Sequence, residues 1–248
     1  MTLSPLAGHL RIPGTFNFRD LGGLPIAGGG TIRPGALLRS AQLSSLGDAG
    51  HAVLRELGVR AVHDLRGQPE IAKHGADQLP DGIRLMVTPF DSDMGEAPPH
   101  DPATGAAKAH MIEVYRMFPA RPEAHAAILA LAESVAGGDG AVLVHCAAGK
   151  DRTGWAVAML LHAVGVDEQD VLADYLLSNS AVPVLKAMLT DNLGPDHVFS
   201  DDLLGVREEY LRSGLDSVRE LHGDIERYLA AIGLTGELRA RLRERLVG

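Results

Sequence analysis

The chain has 248 residues, of which 46% are hydrophobic and 22% charged, with a formal net charge of −9. A chain of this length buries roughly 70% or more of its unfolded surface, so its core needs no disulfide or metal staple, and collagen-like, disordered and disulfide-scaffold classes are excluded. The acidic balance argues against a nucleic-acid binder with a broad basic face and against polybasic docking on anionic membranes.

Cys146 is the only cysteine, so the fold asks for no oxidising compartment. Met1-Thr2-Leu3-Ser4-Pro5 carries no basic segment followed by an apolar one, and the longest apolar stretch, Trp155 to Val166, is too short to span a bilayer. The expectation is a cytoplasmic protein with no stable membrane insertion. No repeat or linker-like break divides it, so a single domain over residues 1–248 is expected.

In chain order, the first third reads as short strands and turns. Phe16-Asn17-Phe18-Arg19 leads into Asp20-Leu21-Gly22-Gly23, and Gly28-Gly29-Gly30 before Thr31-Ile32-Arg33 has the form of a hairpin turn. Leu46 to Leu57 is helical, stopped by Gly58. Val59–Leu65 and Ile83–Val87 are strand-like. Between Pro89 and Ala107 the density of Pro, Gly and Asp predicts a long loop. Helices are expected over Ala107–Phe118 and Pro122–Ala136, the second opened by its proline. Ala141-Val142-Leu143-Val144 is the apolar run of a strand covered on both faces, and Thr153–Val164 is apolar nearly all round, as a buried helix is. Everything after Asp167 reads as helix: Asp167–Asn179, Val182–Thr190, Val206–Leu221, Ile225–Ile232 and Gly236–Val247. This pattern predicts an α/β sheet with extra helices packed on it.

The chemistry concentrates in His145-Cys146-Ala147-Ala148-Gly149-Lys150-Asp151-Arg152-Thr153-Gly154, which joins the buried strand to the buried helix. Such a loop turns successive backbone N–H groups inward, and the helix N-terminus adds partial positive charge; the result is an anion site. Gly149 suits the tight backbone of a cradle. A thiol in such positive surroundings is lowered from about 8.5 to ~3.5–7.5, which makes a nucleophile of Cys146. Arg152 supplies a planar fork for two phosphoryl oxygens. Thiolate, amide cradle and arginine are the parts that in-line phosphoryl transfer to sulfur requires.

His145-Cys146, five residues, then Arg152-Thr153 resembles the signature loop of the cysteine-based protein tyrosine phosphatase superfamily. With Gly149-Lys150-Asp151 inside it, the loop is similar to that of the bacterial atypical tyrosine and phosphoinositide phosphatases. Asn17-Phe18-Arg19-Asp20-Leu21-Gly22-Gly23, Leu38-Arg39-Ser40-Ala41-Gln42-Leu43, Asp64-Leu65-Arg66, Asp174–Asn179 and the region from Val206 to Val247 also resemble that branch. The resemblance implies a phosphatase-like fold, with a mostly parallel central sheet flanked by helices and added C-terminal helices as a candidate lid. It implies hydrolysis of phosphate monoesters through a phosphocysteine on Cys146, without cofactor, on a phosphorylated protein or a phosphoinositide. Ala147, Ala148, Gly149, Lys150 and Thr153 are the expected phosphate-binding positions. His145 is expected to orient the loop, and Thr153 to bond the thiolate.

Neighbouring readings fail on the same residues. A Walker A loop needs Gly at 144 and Ser or Thr at 151, where Val144 and Asp151 stand. A rhodanese loop commonly holds one residue fewer, and an arsenate reductase needs further cysteines. A non-catalytic phosphate-binding module stands as the second class of reading; the intact Cys146–Arg152 pair favours the enzyme.

The proton donor to the leaving group stays open between Asp151, inside the loop, and Asp91 or Asp93, in the segment after Ile83–Val87. Lys150 admits a phosphoinositide headgroup without requiring one. Arg66 either reaches a substrate phosphate or pairs with a carboxylate, and Asp20 is expected to bond within its own turn. Histidine spacings suggest no metal site. Arg239, Arg241, Arg243 and Arg245, interleaved with Glu237 and Glu244, read as a solvated helix face. The helices after Thr190 and the loop around Pro98-Pro99 are candidates for the lid, which would shield a thiol that has no partner cysteine.

Overall fold

The architecture was derived from a computed structural model that describes residues 10–91, 105–194 and 197–248. Strands β1 (Arg19–Asp20), β2 (Leu37–Ser40), β3 (Val59–Asp64), β4 (Arg84–Val87) and β5 (Ala141–His145) form one sheet in the order β1-β2-β5-β3-β4. Only β1 runs antiparallel; β2, β5, β3 and β4 are parallel to one another. The apolar run predicted as a two-faced strand is therefore the centre of the sheet. Val142 and Val144 face one hydrophobic cluster, and Leu143 faces the other with Leu38, Val62 and Phe18.

Helix α1 (Asp48–Glu56) covers the second face through Leu54. The larger cluster lies under α3 (Ala106–Met117), α4 (Pro122–Gly137), α5 (Asp151–Val164), α6 (Glu168–Leu177), α9 (Glu208–His222), α10 (Ile225–Ala231) and α11 (Gly236–Leu246). The other α-helices among the described residues are α2 (Gln68–His74), α7 (Val182–Leu193) and α8 (Asp201–Leu204), and single 3-10 turns lie at Phe118–Ala120 and Ser178–Ala181. In α5 only Asp151 and His162 are not buried, as its continuous apolarity implies. The scarce aromatics are pooled: the single tryptophan and all four tyrosines are buried, with Trp155, Tyr115 and Phe118 in ring contact.

The hairpin predicted at Gly28–Gly30 forms and is tied to the C-terminal residues, for Thr31 donates to Gly248 and Arg33 to Leu246. In the face expected of α11, Glu237, Arg241, Arg243 and Glu244 are exposed, while three of its arginines also reach backbone carbonyls. Arg239 and Arg243 donate to the carbonyls of Ala163 and Val164 at the end of α5, and Arg245 to Gly138 and Gly140 beyond α4. Helix ends leave carbonyls without intrahelical partners, and these guanidinium groups meet that need.

Parallel strands deliver their C-terminal ends to one edge, where open α/β sheets place ligand sites. Behind that edge, Arg19 of β1 and Arg39 of β2 converge on Asp174 of α6, at 2.7 and 2.6 Å. All three are buried. Burial and the neighbouring Arg39 bring the Arg19 guanidinium down to about 10. Burial alone would raise the Asp174 carboxyl, but the two arginines hold it below the usual carboxylate range.

Removing Asp174 leaves two buried cations without a counter-charge. Asp174→Ala is expected to cost about 3–5 kcal/mol in urea unfolding. Because the folded-state value is depressed, the stabilisation is present above the unfolded value of about 3.9 and lost as pH falls below it. Wild type should therefore lose stability relative to Asp174→Ala on acidification through that range; parallel pH profiles would contradict this.

Candidate active site

The loop from Cys146 to Lys150 leaves β5 at its C-terminal end and enters α5 at Asp151. Gly149 has φ +67°, and a Cβ there would lie 2.0 Å from the Ser40 carbonyl oxygen, so only glycine fits. The loop carbonyls are all spoken for from outside. Gln42 N–H donates to Ala147, the Asn17 side-chain amide to Ala148 and Gly149 at 3.0 and 2.9 Å, and Arg39 to Gly149 at 2.8 Å. The N–H groups of Ala147, Ala148, Gly149 and Lys150 have no partner among the described residues. They lie in sequence between the buried Cys146 and the first turn of α5, whose N-terminal N–H groups also favour an anion. The Thr153 hydroxyl, also buried, has no partner there either.

Arg152 is gripped end-on. Its Nη1 and Nη2 donate to the two oxygens of Glu70, each at 2.6 Å. Burial opposes the charge, but the Glu70 bonds and the nearby Cys146 raise the Arg152 pKa. Glu70 in turn accepts from Gly67 N–H at 3.0 Å, locking the start of α2. Burial alone would raise its carboxyl, but Arg152 holds it below the usual range. The end-on grip leaves the Nε–Nη2 edge as the second fork of the same plane, available to two phosphoryl oxygens. Nothing in the sequence pattern singled out Glu70.

Of the two roles open for Arg66, the structure places it in pairing. It is buried, 2.8 Å from both Asp64 and Asp77, and donates also to Gln42 and the Gly75 carbonyl. His145 stands beside it, with Nε2 2.6 Å from Asp77 and Nδ1 facing the Cys146 carbonyl at 3.1 Å. Burial would raise the Asp77 carboxyl, but the His145 bond and the charges around it pull it down. Asp64, Asp77 and His145 bring potential ligand atoms within 4.8 Å of one another, yet the cation among them is the Arg66 guanidinium. Asp20 accepts from Gly22 within its turn and also from Gly35.

At the mouth, Asp151 accepts from the Tyr115 hydroxyl at Oδ1 (3.1 Å), and its Oδ2 is in an ion pair with the Lys150 ammonium at 2.9 Å. The Lys150 ammonium also donates to the carbonyls of Leu203 and Gly205, at 2.7 and 3.1 Å. The Lys150 charge, which admits a headgroup without requiring one, is thus paired with Asp151 and bonded to carbonyls at the end of α8. Asp91 is exposed beyond β4. Asp93 and the Pro98-Pro99 loop lie outside the described residues.

Residues 10–248 match the tyrosine phosphatase family. The chain belongs to that family. It is 37% identical over 276 aligned residues to the triple specificity protein phosphatase PtpB of Mycobacterium tuberculosis, covering 96% of this chain and 98% of that one. It is 29% identical over 161 residues to a tyrosine-protein phosphatase of Nostoc commune, covering 58% of this chain and 48% of that one. Among solved structures, TpbA of P. aeruginosa is 20% identical, with 93% of this chain and 99% of that chain covered at a TM-score of 0.40. As a member of the family the chain is a cysteine-dependent phosphatase, a hydrolase of phosphate monoesters.

For this phosphatase the Glu70 grip carries a kinetic consequence. Loss of charge-assisted bonds worth ~1.5–3 kcal/mol makes Glu70→Ala about 10- to 100-fold lower in kcat/KM, with Glu70→Gln between it and wild type. Tighter inhibition by inorganic phosphate in Glu70→Ala would instead mean that the carboxylate competes with substrate for Arg152.

Proposed function

We propose that Cys146 is the nucleophile, Arg152 the transition-state clamp and Asp151 the proton donor in hydrolysis of phosphotyrosine. The observation that carries this reading is the run of N–H groups from Ala147 to Lys150, without a partner among the described residues, next to the buried Cys146, with Arg152 held by Glu70. Cys146 Sγ attacks phosphorus, and the phosphorus–oxygen bond to the leaving group breaks. The Asp151 proton passes to the leaving oxygen, and the three remaining phosphoryl oxygens are held by backbone N–H groups and the Arg152 fork. Water then attacks the phosphocysteine, giving up its proton to Asp151, and free phosphate and the thiolate are released.

Phosphotyrosine is favoured because its phenol, at about 10, leaves more readily than the hydroxyls of serine or inositol. The relatives carry tyrosine and triple specificity phosphatase names. Phosphoserine, phosphothreonine and phosphoinositides fall within the same chemistry as slower substrates. The Lys150 ammonium, committed to Asp151 and two carbonyls, argues against a headgroup preference. Within this reading Asp151 is preferred to Asp91 as acid because it sits on the cradle itself.

Phosphate release by wild type and Cys146→Ser on a phosphotyrosine peptide, a phosphoserine peptide and phosphatidylinositol 3-phosphate tests the proposal. The expected result is turnover by wild type alone, fastest on phosphotyrosine, with loss of roughly 10⁴-fold or more in the variant. Binding of the esters without release by either protein would make the cradle a phosphate-binding module; fastest turnover of the lipid would reverse the substrate order.

A further inference from the structure

Tyr115 of α3 and Tyr175 of α6 bring two hydroxyls into the aromatic core, where phenylalanine would fill the same volume. Tyr115 is fully buried and Tyr175 nearly so. Their rings stand edge to face at 6.1 Å, and Phe118 packs against Tyr115 at 4.8 Å. A buried hydroxyl is costly unless it is bonded. Here both are, in one directed chain. Tyr175 donates to the Tyr115 oxygen at 2.7 Å, and Tyr115 donates to Asp151 Oδ1 at 3.1 Å. Burial pushes both phenols well above their usual range, so they stay protonated donors. Gly154 of α5 makes the approach feasible, because a Cβ there would meet the Tyr175 ring at 2.9 Å.

We infer that Tyr115 is a positioning residue for the acid step: its hydroxyl, oriented by Tyr175, anchors Asp151 through Oδ1, so that Oδ2, beside the Lys150 ammonium, is the oxygen that carries the proton to the leaving group. The inference rests on the reading of Asp151 as the acid. With its own lone pair occupied by the Tyr175 proton, Tyr115 has one direction left in which to donate, and Asp151 Oδ1 lies along it. Oδ1 accepts whether or not Oδ2 is protonated. As the leaving oxygen takes the proton from Oδ2, the carboxylate that forms meets the Tyr115 donor at Oδ1 and the charge of the Lys150 ammonium, 2.9 Å from Oδ2. Both tyrosines lie outside the signature loop and touch neither Cys146 nor Arg152 by hydrogen bond.

The test is kcat/KM on a series of aryl phosphates whose leaving phenols span values from about 7 to about 10, where the acid matters progressively more. Wild type, Asp151→Asn, Tyr115→Phe and Tyr175→Phe are compared, with vanadate inhibition reporting an intact cradle. Asp151→Asn is expected to lose most on the poorest leaving group and to steepen the dependence. Tyr115→Phe should steepen it in the same sense, by roughly ten-fold or more on the poorest leaving group and under about three-fold on the best, with vanadate inhibition retained. Tyr175→Phe, one bond further out, should do so to a smaller degree, and it carries the test alone if Tyr115→Phe does not fold. Uniform loss across the series in the tyrosine variants, with Asp151→Asn still steepened, overturns the inference and leaves the acid assignment standing. An unchanged slope in Asp151→Asn overturns the acid assignment, and the inference with it.

Discussion

A five-residue loop whose carbonyls find partners while four of its N–H groups find none among the described residues is energetically unreasonable by itself, since a peptide chain in water has no cause to segregate its donors. Here the segregation is enforced from behind. Gln42, Asn17 and Arg39 each take loop carbonyls, and Gly149 lies so close to Ser40 that no side chain fits between them. Arg39 is held in turn by Asp174, and Asp174 by Arg19. The cradle is thus the inner surface of a buried ionic assembly built from β1, β2 and α6. The cost of burying those charges is offset only while every partner is present.

Around the cradle, Arg152, His145 and Asp151 are each held by a side chain from elsewhere in the chain. Glu70 fixes the plane of Arg152, the Asp77 carboxylate meets the His145 ring, and Tyr115 bonds Asp151. These partners come from different parts of the chain: α2, the segment after it, and α3. The parallel sheet brings them together by delivering the ends of β3, β4 and β5 to one edge. Mutual orientation of this kind limits the reorganisation needed when charge moves during a reaction.

How much of this was legible in the sequence depended on how local the signal was. The central strand and the buried helix after it were readable because apolar runs and a continuous apolar face mark them directly. The long helices followed from periodicity and from Pro122. Helix α2 was missed because none of its seven residues is buried, so it has no apolar period. The four-residue α8 is too short to show one. The loop residues were legible as chemistry, since thiol, glycine and arginine lie within seven positions. Glu70, Asp77 and Tyr115 were not, because their importance arises from contacts over 82, 68 and 36 residues of sequence. The carbonyl bonds of the α11 arginines were unreadable for the same reason: such partners are invisible in a list of side chains.

Thiol-based hydrolysis requires a covalent intermediate at sulfur. The most direct measurement is rapid acid quench of wild type turning over a phosphotyrosine peptide, followed by mass spectrometry of the peptide that carries Cys146. The account requires one added phosphoryl group on Cys146, formed within a single turnover and lost at the rate at which phosphate appears. Phosphate released at the full rate with Cys146 never modified, or the label found on another side chain, would contradict it.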